Sequence, residues 1–250
     1  MLMLMVNTRS GNLIRDRFFK KNKEEFSIDF WTTVPGLSKV PEVVPRKQSK
    51  IIPEWWRSTQ YYEKSIKQCP NFPQLFSSSY VIPMWCDSSF HREGDMFFWE
   101  TADNKFSWEN HSNDQFLDHA PRHIREKYFI IAKAMCPWRI KTPKGYSVLQ
   151  MSPLWHFNKN FEVASGIVDT DFHHEINQQI FLSLEDGESF MIERGDPFAV
   201  YMPFKRDSFA MNVREESESD KENRDTSELI YSTKFINGYR SHQQFIRGNK

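Results

Sequence analysis

From Ala164 to Lys205 the chain reads as short apolar runs separated by turn signals, a rhythm that suits strands and leaves no room for a long helix. Asp186-Gly187 closes one run, Ser189–Glu193 forms the next, Arg194-Gly195-Asp196-Pro197 turns again, and Phe198–Pro203 follows. Upstream, Val168, Thr170, Phe172, His174 and Ile176 fall on one face of a period-two strand, and Asp169, Asp171, His173 and Glu175 on the other. Three carboxylates and a histidine on one face are costly to bury without partners. That face is expected to meet solvent, or to serve a polar ligand or a metal.

The rest of the chain points the same way. Aromatic residues make up 15% of it, with 22 Phe and 8 Trp, so the core is expected to be built from rings, which strands favour. Thirteen prolines punctuate it. Strands are predicted over Phe26–Val34, Ser79–Cys86 (an edge or bulged strand, because of Pro83), Tyr128–Met135, Trp138–Thr142, Tyr146–Met151 and Ile176–Leu184. Met96–Glu100 and Lys105–Glu109 are predicted to pair as a hairpin about Asp103-Asn104. Residues 35–53, with four prolines, read as an extended connector. Glu54–Lys67 is predicted to hold a short helix, Cys69-Pro70 and Pro73 a turn, and Asn110–Lys127 a loop with a helical turn.

Four segments follow. Residues 1–24 form an N-terminal extension, locally basic over Arg15–Lys23, and 25–210 a single mainly-β domain. Residues 211–228 form a charged flexible linker, because Glu215–Glu228 contains no apolar residue. Residues 229–250 turn apolar again and read as a C-terminal docking segment.

Charge and motifs narrow the function. Lys+Arg and Asp+Glu are 33 each, so no strong nucleic-acid signal exists. The opening MLMLMV is apolar for six residues, too short for a signal peptide or a membrane span. Cys69, Cys86 and Cys136 are widely spaced and form no Cys-x-x-Cys pair, as expected of free thiols in a reducing compartment. There is no Gly-x-Ser-x-Gly, no phosphate-binding Gly loop and no dinucleotide fingerprint. The adjacent Trp55 and Trp56 suit either core anchoring or a base- or ligand-stacking platform.

A resemblance enters at this point. Gly145-Tyr146, then Gly166-Ile167-Val168-Asp169-Thr170-Asp171-Phe172, then Gly195-Asp196 and Ala199 are similar, in order and spacing, to the core of trimeric dUTPases and dCTP deaminases. The match covers residues 138–206. It implies a β-clip, or distorted jelly-roll, fold with a few short helices. It would make Asp169 the residue that activates water and Phe172 the ring that stacks on the deoxyribose. The chain departs from that pattern where phosphates are held: Met151-Ser152-Pro153 stands in place of Arg-Ser-Gly, and the Gly-rich C-terminal arm is missing. Over a longer span, Lys67–Pro70, Tyr80–Pro83, Trp138–Ser147, Val168–Asp171 and Tyr201–Arg206 resemble an uncharacterised family of T4-like marine phages, cyanophages especially, with distant members in bacteria.

The expectation is therefore a phage accessory protein. It is read as a non-catalytic binding or assembly module that takes a nucleotide-like small ligand or joins the virion. It would be a homo-oligomer, trimeric by the resemblance, in the host cytoplasm during infection or in the virion, and not in a membrane. The alternative is a hydrolase or oxygenase centred on the Asp169–Glu175 face. Candidate catalytic residues are Asp169 and Asp171. Candidate ligand contacts are Tyr146, Phe172, His173, Glu175 and His156. No cofactor is required by any motif; a divalent metal held through carboxylate oxygens, or a site of two histidines and a carboxylate drawn from His156, His173, His174 and Asp169, belongs to the alternative.

Overall fold

The computed structural model describes residues 26–60, 65–69 and 71–233. The N-terminal extension, its basic run and most of the C-terminal docking segment lie outside the described residues. The fold is mainly β, as expected, with antiparallel sheets and short helices.

The strands are β1 (Asp29–Thr32), β2 (Arg46–Lys47), β3 (Tyr80–Pro83), β4 (Ser88–Glu93), β5 (Met96–Thr101), β6 (Trp108–His111), β7 (Ile130–Ala134), β8 (Trp138–Lys141), β9 (Tyr146–Met151), β10 (Phe161–Val163), β11 (Gly166–Val168), β12 (Gln178–Leu182), β13 (Ser189–Ile192) and β14 (Pro197–Lys205). They assemble as β11-β9-β14-β3-β2, β10-β12-β7-β6, β13-β4-β5 and the pair β1-β8. The helices are α1 (Glu54–Ser58), α2 (Asn71–Ser78), α3 (Arg122–Lys127) and α4 (Glu218–Thr233).

One core draws on all four sheets, with Ile140 from β8, Phe198 and Tyr201 from β14, Ile180 and Leu182 from β12, and Phe90 from β4 all buried. Aliphatic side chains outnumber rings in it, contrary to the ring-built core expected, though the rings interlock: Trp108 meets Phe90 and Phe198 edge-on at 4.9 and 5.8 Å. A buried polar link ties two sheets together. Gln178 of β12 donates to the Tyr201 hydroxyl of β14 at 2.6 Å, and that hydroxyl donates to Gln150 of β9 at 2.8 Å. Each of these groups is out of water, so the chain of donors and acceptors is what makes their burial tolerable. All three cysteines are unpaired, and burial pushes the Cys136 thiol up to about 12 and the Cys86 thiol up to about 11.

Several local expectations are corrected. The hairpin is formed by β4 and β5 about Gly94-Asp95, with Glu93 opposite Met96, while β6 leaves to pair with β7. Gly94 has φ 57°, which a tight two-residue turn needs and which Asp103-Asn104 does not have to supply. Residues 71–78 form a helix and not a turn, because Pro73 sits in the first helical turn, where a missing N–H costs nothing. Strand β3 is interior, between β14 and β2, and so not an edge; the bulge that Pro83 suggested is present as a register shift opposite it, between Pro197 and Ala199. The connector 35–53 is broken by 3-10 turns at Leu37–Lys39 and Gln48–Lys50 and by β2. Residues 211–228, read as a linker, turn helical at Glu218. Ser217 and Asp220 cap that start reciprocally: the Asp220 N–H donates to the Ser217 hydroxyl at 3.3 Å, and the Ser217 N–H to the Asp220 carboxylate at 2.9 Å.

Candidate functional site

The acidic face predicted for residues 168–176 does not exist as a strand face. β11 ends at Val168, opposite Val148 of β9, and the chain then turns: the Phe172 and His173 N–H groups donate to the Asp169 carbonyl at 3.3 and 3.0 Å. Period two therefore fails after Val168, and side chains two apart no longer share a face. The reason is tertiary. The turn is drawn onto the neighbouring Pro143–Tyr146 turn, where Thr170 is fully buried and its hydroxyl meets that of Thr142 at 2.8 Å. Thr142 N–H donates to the Thr170 carbonyl at 3.2 Å.

Gly145 fixes the second turn. Its φ of 83° lies in the left-handed region, and its N–H donates to the Asp171 carboxylate at 2.9 Å. Its carbonyl accepts from the Arg206 N–H at 2.8 Å, because the register of β14 against β9 puts Lys205 opposite Tyr146. That register delivers the Arg206 guanidinium to both acids. It pairs with Asp169 at 2.9 Å and with both oxygens of Asp171. The buried Ser147 hydroxyl adds a 2.6 Å bond to Asp169. Asp171 is only 7% exposed at its side chain, whereas Asp169 and Arg206 are partly open to solvent.

The electrostatics follow. The Ser147 hydroxyl and then Arg206 hold Asp169 below its ordinary 3.8, and Arg206 together with the Gly145 N–H holds Asp171 below it as well. Both acids are thus carboxylates at neutral pH, sharing one guanidinium, with neutral donors from Ser147 and Gly145 completing their contacts. A general base works best with a pKa near the working pH, and these are displaced the other way.

The other sequence candidates separate. Phe172 stands at the tip of the turn, 73% exposed. Tyr146 opens β9 and packs against Phe26 at 5.5 Å. His173 is exposed on the same turn. Glu175 leaves the group, pairing across to Arg139 of β8 at 3.2 Å. His156 lies elsewhere, in a cavity of about 210 Å³ with Asn158 and Asp196, and burial lowers its pKa. His174 is spent on structure, its ring against Trp31 at 5.2 Å and its Nδ1 against the Ile140 and Thr170 carbonyls. Among the described residues no group of three or more His, Cys, Asp or Glu is placed to hold a metal ion. Sequence reasoning missed Arg206 and Ser147; Arg206 stands 35 residues from Asp171, a distance no local motif spans.

No family model matches this chain, and no curated protein does. Among solved structures it is similar to a variant dUTPase of Staphylococcus bacteriophage 80alpha with dUpNHpp, at 12% identity, over 77% of this chain and 90% of that chain, with a TM-score of 0.36. It is also similar to a variant dUTPase from phage phi11 of S. aureus, described with a structural Mg(II) ion, at 12% identity, over 70% of this chain and 97% of that one, with a TM-score of 0.32. The mainly-β class stated above rests on the sheets themselves. Among the described residues no helix is long and apolar enough to cross a membrane.

Proposed function

We propose that the chain is a non-catalytic binding module of phage origin that takes a small nucleotide-like ligand at the Asp169–His173 turn. One observation carries this: Arg206 engages both Asp169 and Asp171, so the two acids act as a rigid brace and not as water-activating or metal-holding groups. The brace holds out an exposed ring, Phe172, where the sequence pattern shared with dUTPases would put a ring on a deoxyribose. The departures at Met151–Pro153 remove the phosphate-holding groups, which favours binding over hydrolysis. Such a protein would act in the host cytoplasm during infection or in the virion. Self-association belongs to the same reading. Ile167 is exposed on β11, an edge strand, and Phe209, Met211 and Val213, each at least 85% exposed, offer apolar surface to another copy.

A melting-temperature series with dUMP, dUTP and dCTP, with and without Mg²⁺, run beside a pyrophosphate-release assay, is the test. A ligand at about 100 times its Kd adds about 2.7 kcal/mol to the folded state. Stabilisation by a nucleotide without pyrophosphate release is expected, and Phe172→Ala should remove the shift. Pyrophosphate release lost in Asp169→Asn would establish the hydrolase alternative instead.

A further inference from the structure

Trp55 and Trp56, adjacent in sequence, end in different environments. Trp56 is buried and stacks on Phe72 at 4.6 Å with an interplanar angle of 7°. Phe72 also stacks on Trp155, at 4.7 Å and 28°, so three rings form a column that reaches solvent at Trp155. Trp55 stays half-buried at its side. Its indole N–H donates to the Trp155 carbonyl at 2.7 Å, and its ring lies 5.9 Å from that of Phe157, which is 71% exposed.

The backbone of this loop is unusual. Trp155 has φ 64° and Phe157 φ 52°, and they are the non-glycine residues with positive φ among those described. Bulky side chains are disfavoured there, and such conformations persist only where the surroundings impose them. Trp155 is explained by its place in the column. Phe157 is explained only in part: its ring meets Trp55 at 5.9 Å and the edge of Trp155 at 6.0 Å, yet most of it stays open to water.

Charge around the rings is biased. Arg57 follows the Trp pair, and the Lys67 ammonium donates to the Arg57 carbonyl at 3.0 Å, which brings it to the end of α1. Lys159 stands two residues past Phe157, and Lys50 two residues before Ile52, which packs on the Trp56 cluster. The acids nearby are Glu54, paired with Arg57, Glu188, paired loosely with Lys159 at 3.9 Å, and Asp196, which lines a cavity with His156 and Asn158. Four cations against three acids leave a small local excess in a chain of zero net charge. Open rings bordered by cations are the elements that single-stranded nucleic acid uses, with bases stacked and phosphates neutralised. An uncharged sugar would need the rings but not the cations.

We infer that Trp55, Trp155 and Phe157, bordered by Lys50, Arg57, Lys67 and Lys159, form a stacking platform for single-stranded nucleic acid. It is separate from the Asp169–His173 turn. The test uses the full chain and a fluorescein-labelled oligothymidylate of about 15 nucleotides, a length within the reach of such platforms. Binding is followed by anisotropy and by quenching of Trp fluorescence. Affinity is expected to fall as salt rises. Phe157→Asn should weaken binding about tenfold while its melting temperature stays at or above that of the parent, because Asn tolerates the left-handed region. Arg57→Gln combined with Lys159→Gln should weaken binding and flatten the salt dependence. The platform is overturned if the parent chain does not bind, if Phe157→Asn binds as well as the parent or melts lower, or if cellohexaose quenches the Trp fluorescence and the oligothymidylate does not.

Discussion

Arg206 is the residue on which the site turns. It meets Asp171, which is almost out of water, and Asp169, which is not. A carboxylate with a depressed folded pKa contributes stability that is present above its unfolded value and is lost as pH falls through the folded one. Both acids lie below the ordinary 3.8, so melting temperature should hold down to about that pH and then drop as the two carboxylates protonate. In Arg206→Ala the main partner of Asp171 is gone and Asp171 sits 7% exposed without a counter-charge. That variant should melt lower at neutral pH, and its acid decline should begin at higher pH. Thermal melts from about pH 6 to about pH 2 read both effects. An unchanged acid limb would mean that the ion pairs do not hold in solution. The acids themselves were legible as a chemical cluster; the base that matches them was not, because it comes from the far end of β14.

At the scale of elements, α1 and α2 form a satellite to the main core. Trp56, Phe72 and Phe76 are buried together, with Ile52, Trp55, Cys69 and Leu154 packed around them. Trp56→Ala should cost about 3–5 kcal/mol, the range for a large ring removed from a packed site. Because that cluster is distinct from the one filled by Phe198 and Ile180, the loss should be local. Amide exchange over α2 should accelerate while β9 and β14 keep their protection. A uniform loss across all strands would show the two clusters to be one cooperative unit. The strands β7, β8, β9 and β14 were readable because each is short, apolar or alternating, and bounded by Pro, Gly or a turn. The β4–β5 pairing was not, because two neighbouring turns compete for β5 and only the packing of Phe90 against Phe97 and Phe190 decides between them.

For the whole molecule, Phe209, Met211 and Val213 follow the last strand at alternate positions and stay in water. Sedimentation of the full chain should show a discrete oligomer, a trimer by the sequence resemblance. Replacing the three residues by Ser should dissociate it without lowering the melting temperature of the separated chain by more than about 2 °C, since surface substitutions move stability little. A monomer at all concentrations would remove self-association from the proposal. By itself the sequence determined the class: ring content, proline spacing and period-two runs permit little besides antiparallel β. It also located the stretch around Asp169–Phe172 as chemically distinct. Only the tertiary structure decided what that stretch is. Periodicity describes a strand while it lasts, and it cannot say that Val168 is the last paired residue, that Thr170 turns inward onto Thr142, or that the β14 register brings Arg206 to both acids. Those facts depend on contacts between segments tens of residues apart. They turn what read as one polar strand face into a turn held by Arg206.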